Sequence, residues 1–376
     1  MIQNYRHLLN DKKRIKAFRR AINTLVNTNN SVAEIGAGLG TYSFFAIQNG
    51  ASPVYAIEMG DIYYTAQKIA QKNGLESRVN FIHDKSTQVN LPQKVDYLIM
   101  EDYRPFFLYK GLENTIKDAR NRFLAPDGRF IPNRIILYIC PVQSKELWNK
   151  VALWERKSKK LYDIDWSYTT KLSFNQLHQT GDSKMKLLGK KSKIKNINLS
   201  QDNDFTFKFQ TNAKIKQAGI IHGLVGWWDC YFTPEQYFSN SPIGPKNTWG
   251  QTFFPIRKPL KVEKNQQIHI GLYTLESQHS GKINYKWWIQ NEKKREGHNT
   301  FQGSTTPLEK ILNQNINNKP KLNQKGKIAK YILQNIGDKS FQQLAQDIQN
   351  RYSNYFNSQS EATKFINNYI QKFYST

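Results

Sequence analysis

The stretch SVAEIGAGLGTYSFFAIQNGASPVYAIEMGD, residues Ser31–Asp61, decides the fold of this chain. It begins with a short apolar run, Val32–Ile35, which is followed by a turn containing three glycines: Gly36, Gly38 and Gly40. A segment of helical composition comes next, and a second apolar run, Val54–Ile57, ends on Glu58. This order predicts strand, glycine turn, helix and strand, and the glycines let a ligand approach the backbone closely.

The acid at the end of the second strand indicates what such a ligand would be. Glu58 follows the glycine turn by about 20 residues, where a carboxylate can accept hydrogen bonds from both hydroxyls of a ribose. Dinucleotide-binding folds share this arrangement, but the spacing E-x-G-x-G-x-G led by Glu34 resembles that of class I methyltransferases. The resemblance implies S-adenosylmethionine as cofactor. The alternative is a glycine turn that only joins strand to helix.

Composition limits the classes of partner and compartment. The 376 residues are enough for two or three domains, and the formal net charge of +26 implies an acidic partner or simply many solvated lysines. Because the lysines are spread along the chain, nucleic acid is a partner that we do not favour. The two cysteines, Cys140 and Cys230, fit a reducing cytosol and predict no metal site. No apolar run is long enough to span a membrane, and no signal peptide is evident, so we expect a cytoplasmic protein without a membrane partner.

Residues 1–141 predict a parallel, doubly wound α/β domain of the Rossmann-like class, with an N-terminal helix from Asp11 onward. Its ligand would bind at the carboxyl ends of the strands. Glu101 and Asp102 stand at the end of the fourth strand, beside the expected methyl donor, and Asp84 ends the third. The five expected strands are Val32–Ile35, Val54–Ile57, Val79–Ile82, Val95–Met100 and Ile135–Ile139.

The remainder of the chain predicts two further domains. Residues 142–299 contain short strand-like runs separated by turn residues, which is typical of an antiparallel β-barrel or sandwich. They include a lysine-rich piece, Leu147–Ser200, whose plain interpretation is a mobile loop. Residues 300–321 predict a linker, and the chain then becomes helical over Lys325–Ile336, Ser340–Arg351 and Ser360–Phe373.

The order helix, Rossmann-like half and β-barrel resembles the protein arginine methyltransferases over roughly Asp11–Ile289. Besides the glycine motif, six segments carry the resemblance: D-K-K-R-I-K-A-F-R-R at Asp11–Arg20, L-P-Q-K-V-D-Y-L-I-M-E-D-Y at Leu91–Tyr103, F-L-A-P-D-G-R-F-I-P at Phe123–Pro132, then H-G-L-V-G-W-W-D-C-Y-F, S-N-S-P-I-G-P and N-T-W-G-Q-T-F-F. It implies cofactor contacts from Arg14 to the methionine carboxylate, from Glu58 to the ribose, and from Glu34, Gly36, Gly38, Gly40, Met59 and Asp84. Tyr162–Ser167 falls where that family carries its dimerisation arm, which would allow a homodimer.

Three departures from the family bear on catalysis. Its two-glutamate loop uses paired carboxylates to hold a guanidinium; Glu101 matches the first, but the second position is Lys110. The Thr-His-Trp loop of the family reads Asn247-Thr248-Trp249, so the histidine is replaced and Trp249 is kept. We also expect the N-terminal aromatic segment that closes over the cofactor to be missing.

The lysine in the loop leaves three interpretations open. Two charges about 4 Å apart interact by about 4 kcal/mol at an effective dielectric constant of 20, so repulsion there removes the usual reason to bind arginine. Glu101, alone or with Asp102 or Glu113, could orient an amine or guanidine of a peptide or small molecule. Lys110 could instead hold an anionic acceptor, or methyl transfer could be lost and the chain could act as a cofactor-binding scaffold for an acidic partner.

The C-terminal helices resemble small winged-helix domains of the PqqD-like type, which grip leader peptides. The features that match are the Leu322-Asn323 start, Gly326, Gly337-Asp338, and the apolar positions Leu344 and Ile348. The resemblance implies peptide recognition by residues 322–376. The alternative is a helical cap on the barrel.

Overall fold

The glycine turn belongs to a parallel sheet of five strands in the order β3-β2-β1-β4-β5. The computed structural model describes residues 2–152, 162–202, 204–244, 246–276, 283–292, 294–305, 319 and 321–370. All pairings in this sheet are parallel, and Val32 lies between Val54 and Tyr97. The strands are β1 Val32–Ile35, β2 Val54–Ile57, β3 Asn80–Ile82, β4 Val95–Met100 and β5 Leu124–Ile131. The predicted Rossmann-like sheet is therefore present in the structure.

Helices connect these strands and cover the sheet. The second helix begins at the N-cap Asp11, whose side chain accepts a hydrogen bond from the Arg14 backbone N–H, and it buries Phe18 and Ile22. An additional helix, which the sequence analysis did not predict, precedes it. None of its residues is fully buried. The helices are α1 Ile2–Asn10, α2 Lys12–Leu25, α3 Thr41–Gln48, α4 Ile62–Lys72 and α5 Leu112–Phe123.

The prediction that Ile135–Ile139 is the fifth parallel strand is wrong. This segment lies in β6, Arg134–Gln143, which pairs antiparallel with β11, Gly219–Tyr231. The fifth parallel strand is β5, and only Pro132 and Asn133 separate it from β6. A parallel neighbour requires a crossover of a dozen or more residues, so a strand entered after two residues cannot pair in parallel with β5.

Two antiparallel sheets follow. The first has seven strands, and β6 and β11 lie at its centre. Its other strands are β7 His178–Gln179, β8 Lys186–Leu187, β9 Ser192–Asn198, β12 Tyr237–Ser239 and β13 Thr252–Val262. The second has the order β10-β14-β15-β16, with β10 Lys208–Lys214, β14 Gln267–Glu276, β15 Ile283–Gln290 and β16 Arg295–Asn299. Closure of these sheets into a barrel stays a prediction.

The lysine-rich piece Leu147–Ser200 is more ordered than a mobile loop, apart from residues 153–161, which lie outside the described residues. Helix α6, Lys145–Val151, and the helix Tyr168–Phe174 bury Trp148 and Phe174 against the seven-stranded sheet. Strand β9 pairs with β6 because Ile197 is an apolar residue that the core can bury. The piece is thus an integral part of the antiparallel half.

Residues 306–376 form a second compact unit. Its described part contains three helices, Gln324–Asn335, Phe341–Arg351 and Gln359–Ile370, close to the bounds expected from the sequence. Their shared core includes Ile328, Ile332, Leu344 and Ile348. Most of the expected linker, residues 306–318 and 320, lies outside the described residues, as do the last three of Ser360–Phe373. The winged-helix assignment and the domain boundaries at 141 and 299 stay predictions.

No helix of the described residues is long and apolar enough to cross a membrane.

The centre of the antiparallel half contacts the loop that carries Glu101, and a glycine makes this contact possible. A Cβ added at Gly226 of β11 would lie 2.5 Å from the ring of Phe106. We expect Gly226→Ala to lower the free energy of unfolding by about 1–3 kcal/mol, because overpacking forces the neighbouring ring to move. Gly189→Ala is the matched control, since its Cβ would meet its nearest neighbour at 3.4 Å. Urea denaturation that gave equal losses for both variants would contradict this packing argument.

Candidate active site

The glycine turn after β1 forms one wall of a cavity of about 700 Å³ at the carboxyl ends of the parallel strands. Gly36, Gly38 and Gly40 have φ of 71°, 54° and 77°, in the left-handed region that favours glycine. The ring of Tyr5 in α1 lies 2.7 Å from the position that a Cβ of Gly38 would occupy. Gly38 therefore meets two requirements, the backbone conformation and the close approach of an aromatic ring. Gly40 begins α3 and shapes the turn without lining the cavity.

Glu58 is held at the end of β2 by two backbone amides. Its Oε2 accepts a hydrogen bond from the N–H of Gly38 at 2.9 Å, and its Oε1 accepts one from Gly60 at 2.7 Å. Because each carboxylate oxygen has two lone pairs, both oxygens can still accept hydrogen bonds from a ligand. The structure thus brings Glu58 to the glycine turn, and its contact with a ribose stays a prediction.

Glu34, the first residue of the glycine motif, is directed towards the protein rather than towards solvent. Its Oε2 accepts hydrogen bonds from the backbone N–H of Ser43 at 2.7 Å and from the Ser43 hydroxyl at 2.6 Å. Burial raises the pKa of Glu34 to about 8, and the hydrogen bonds from Ser43 oppose that rise. Glu34 lines the cavity and also ties the glycine turn to the first turn of α3.

Arg14 and Glu101 form a buried ion pair at the base of the cavity. The Arg14 Nη1 lies 3.2 Å from the Glu101 Oε1, and their side chains are only 5% and 14% exposed. The hydroxyl of Tyr42 donates to the other oxygen of Glu101 at 3.0 Å, and the Arg14 Nη2 donates to the carbonyl of Leu8 at 2.9 Å. Burial raises the pKa of Glu101 to about 7, although Arg14 acts in the opposite direction.

One donor of this arginine is left over. The Nε of Arg14 is buried and has no hydrogen-bond partner in the described part of the chain. An unsatisfied buried donor costs about 1–3 kcal/mol, which an anionic group in the cavity would recover. Together with the glycine turn and Glu58, this donor fits the methionine carboxylate and ribose of S-adenosylmethionine.

Thr248 and Trp249 of the loop Asn247-Thr248-Trp249 also line the cavity. The backbone N–H and the hydroxyl of Thr248 both donate to the Asp11 Oδ2, at 2.9 Å and 3.1 Å. The guanidinium of Arg14 lies 5.3 Å from the centre of the Trp249 ring, and the indole N–H of Trp249 donates to the Tyr103 carbonyl. The antiparallel half therefore contributes Trp249 directly beside the ion pair.

The other predicted site residues divide into two groups. Met59 and Asp84 line the cavity at its exposed edge, and Met59 is 70% exposed. Lys110 is exposed, and the part of its loop that lines the cavity ends at Tyr109. Glu113 lies apart, because it pairs with Lys117 at 2.6 Å and accepts the backbone N–H of Phe205. The structure thus brings Glu101, Trp249 and the cofactor residues together and leaves Lys110 outside.

Sequence reasoning missed three residues of the site: Tyr5, Tyr42 and Thr248 as a partner of Asp11. Tyr42 is the second residue of α3 and follows the glycine turn directly. This position and its aromatic ring were the signal for it in the sequence. The contact of Tyr5 depends on α1, whose apolar residues Ile2, Tyr5 and Leu9 do recur at helical spacing, so this signal was available in the sequence and was overlooked. No group of three or more His, Cys, Asp or Glu that could hold a metal ion occurs within the described ranges.

Residues 133–292 match the family model of the arginine methyltransferase oligomerization subdomain. A Trypanosoma brucei PRMT1 enzyme–prozyme heterotetrameric complex with AdoHcy includes a chain similar to this one, with a TM-score of 0.70 and 21% identity over 78% of this chain and 97% of that one. Arabidopsis thaliana protein arginine methyltransferase 10 gives a TM-score of 0.66 at 20% identity, covering 80% and 98%. The fold is that of the protein arginine methyltransferases.

Two curated proteins with arginine methyltransferase names are similar to this chain in sequence. The chain is 27% identical over 282 residues to the histone-arginine methyltransferase CARMER of Drosophila ananassae, which covers 71% of this chain and 52% of that protein. It is 26% identical to protein arginine N-methyltransferase 1 of Schizosaccharomyces pombe, covering 70% and 79%. The chain thus spans about half the length of the Drosophila relative that it matches.

The environment of Glu34 predicts how stability responds to pH. A carboxyl whose pKa is about 8 in the folded chain and 4.5 unfolded binds its proton more tightly when folded. The protonated carboxyl of Glu34 contributes fully to the free energy of unfolding below pH 4.5. This contribution is lost as the pH rises through about 8, by up to about 1.4 kcal/mol for each pH unit crossed. We expect Glu34→Gln to flatten this loss, because the amide oxygen can still accept from Ser43 but cannot ionise.

Thermal melting of both proteins between pH 5 and pH 8.5 measures the effect. The exposed Glu76 offers the matched control, since Glu76→Gln should leave the pH profile unchanged. A Glu34→Gln protein whose stability falls as steeply as that of the wild type would remove Glu34 as the source.

Proposed function

We propose that this chain is an S-adenosylmethionine-dependent methyltransferase that methylates a side-chain nitrogen of a protein or peptide. The observation that carries the proposal is the convergence of Arg14, Glu58 and Glu101 on one cavity next to the glycine turn. The volume of about 700 Å³ suits a nucleoside-sized ligand, since such pockets measure about 300–1,000 Å³. The fold and the curated relatives support the same reaction class.

Each residue of the cavity has a distinct task in this proposal. Arg14, through its unpaired Nε, binds a carboxylate, and Glu58 accepts hydrogen bonds from the two ribose hydroxyls. When bound, S-adenosylmethionine supplies an electrophilic methyl group on a sulfonium. Glu101 attracts a cationic or amine acceptor and orients its nitrogen. This orientation is the most important of these tasks, because methyl transfer requires an in-line approach of the nitrogen.

The acceptor would approach from the side of Trp249. A neighbouring cavity of about 690 Å³ shares Thr248 and Trp249 with the first one, so these residues form the wall between the two spaces. The names of the relatives point to protein acceptors rather than to a small guanidine. Peptide recognition by the C-terminal helices, and pairing of two copies through the subdomain that matches residues 133–292, are further parts of the proposal.

A second candidate function rests on the loop that follows Glu101. Asp102 is the remaining carboxylate of this loop at the cavity; it accepts a hydrogen bond from the Tyr109 hydroxyl at 3.1 Å, while Lys110 replaces the second glutamate of the family. Both oxygens of Glu101 already accept hydrogen bonds. A chain with such a loop could bind the cofactor without transferring a methyl group, as a scaffold in a larger assembly. Detection of a methylated product decides between the two functions.

The first prediction of this proposal concerns the cofactor. We expect Glu58→Ala to weaken binding of S-adenosylhomocysteine by about 10- to 100-fold, since a charge-assisted hydrogen bond contributes about 1.5–3 kcal/mol. Isothermal titration calorimetry measures the change. The control is Glu76→Ala, which removes the same charge from an exposed position away from the cavity. Equal affinities for Glu58→Ala and wild type would exclude Glu58 from the cofactor site.

The second prediction concerns the acceptor. We expect Glu101→Gln to retain cofactor binding and to lower turnover by about two orders of magnitude or more, because the charge that favours a cationic acceptor is lost. Wild-type turnover should increase as the pH rises through about 7, where Glu101 ionises. Mass spectrometry of arginine- and lysine-containing peptides after incubation with labelled cofactor measures both effects.

Two further variants complete this test. Glu113→Gln removes a carboxylate that pairs with Lys117 outside the cavity, and it should leave turnover unchanged. Lys110→Glu restores the second carboxylate of the family loop in sequence, but this position lies outside the cavity, so we expect no gain in activity towards arginine peptides. Full activity of Glu101→Gln would show that the acceptor binds elsewhere. Cofactor binding without any product, in the wild type and in Lys110→Glu alike, would favour the scaffold.

A further inference from the structure

The outward side of the four-stranded sheet carries cations around a half-buried tyrosine, Tyr273, which packs on the buried Trp288. Alternate residues of β10, β14, β15 and β16 point away from the core, and the pairing places Lys208 opposite Tyr273 and Tyr273 opposite Lys286. On the neighbouring row, Trp288 lies between Gly271 and Gly297. We call this surface the basic sheet face and define it by Lys208, Lys214, Tyr273, Lys286, Trp288 and Arg295.

The charge of this face is unbalanced. Lys208, Lys214, Lys286 and Arg295 are all exposed. Among the described residues, the outward positions of the four strands include neither Asp nor Glu, and the three lysines form no ion pair. Four positive charges without a counter-charge on one flat surface create a potential that attracts an extended anion. This arrangement differs from that of Lys191, which lies 3.6 Å from Asp229.

Of the two rings, Tyr273 is partly exposed and available for stacking, whereas Trp288 is only 3% exposed and supports its neighbours. The ring of Trp288 lies flat over Gly271, so that a Cβ there would be 1.9 Å from it, and Tyr273 meets Trp288 edge to face at 4.7 Å. The guanidinium carbon of Arg295 stands 4.8 Å from the centre of the Trp288 ring. A supported guanidinium and a half-buried tyrosine both offer faces on which a planar base can stack.

We propose that the basic sheet face binds single-stranded nucleic acid. Single-strand-binding surfaces combine cations that follow the phosphates with aromatic rings on which bases stack, and a four-stranded sheet with exposed rings is one known form. Gln210 and Asn212 are exposed on β10 beside these groups and have side-chain amides that can donate to base edges. This role is separate from the cofactor cavity and does not depend on methyl transfer.

The ring of Tyr273 discriminates between nucleic acid and an acidic protein segment. An acidic peptide would be attracted by the same lysines, but it would gain little from Tyr273, because it has no bases to stack. A double-stranded ligand would present only its backbone to the face. Sensitivity to the aromatic ring, in addition to sensitivity to charge, is therefore the signature of a single strand.

Fluorescence anisotropy of the full chain with a labelled oligo(U) or oligo(dT) single strand tests the proposal. We expect the logarithm of affinity to fall with the logarithm of salt concentration with a slope of about −2 to −3, since each neutralised phosphate contributes about −0.7. Lys208→Glu/Lys286→Glu should weaken binding by at least about tenfold and make the slope shallower by about 1.4. The matched control is Lys186→Glu/Lys193→Glu, which makes the same charge change on exposed residues of β8 and β9.

A second pair of variants examines the ring. Tyr273→Ala should weaken binding by about tenfold, whereas Tyr273→Phe should preserve it, because stacking requires the ring and not the hydroxyl. Thermal melting verifies that each variant is folded. If the charge-reversal variant Lys208→Glu/Lys286→Glu is unstable, the neutral variant Lys208→Gln/Lys286→Gln takes its place. The proposal is overturned by absence of binding at low salt, by equal loss in the control, or by polyglutamate that competes fully while Tyr273→Ala has no effect.

Discussion

The ion pair between Arg14 and Glu101 is the interaction on which the candidate active site depends. It joins α2 to the end of β4, and its remaining hydrogen bonds reach α3 through Tyr42 and α1 through the Leu8 carbonyl. Two buried charges are expensive to remove from water, and loss of one partner typically costs about 3–5 kcal/mol because the other charge stays buried and unpaired. The same two residues therefore fix four elements of the fold and present the charges that the cavity offers to ligands.

The parallel sheet could be predicted from the sequence because β1, β2 and β4 are largely buried and appear as apolar runs interrupted only by Glu34 and Asp96. Val32–Ile35, Val54–Ile57 and Val95–Met100 have the predicted bounds. The same signal failed at Ile135–Ile139, since an apolar run does not specify which sheet buries it. The expected connection from Met100 to Ile135 contains a helix and suits a parallel crossover, so only β5, which the sequence analysis did not predict, shows that Ile135–Ile139 belongs elsewhere.

The candidate site was predictable where its residues follow strands, and not where they depend on contacts between distant segments. Glu58 and Glu101 end their strands, so the topology alone places them at one edge of the sheet. The contact of Tyr5 with the glycine turn and that of Thr248 with Asp11 join segments whose positions only the folded chain defines. The exclusion of Lys110 from the cavity is likewise a property of the folded loop and not of its place in the motif.

The contact between Thr248 and Asp11 has a consequence for how the cavity wall behaves in acid. A histidine at that position would change its charge near neutral pH, and its hydrogen bonds to an aspartate would change with it. Threonine offers a backbone amide and a hydroxyl, neither of which titrates in the physiological range. The donors that hold Thr248 to Asp11 therefore keep their protons across that range, and mild acidification would act on this cavity through its carboxylates.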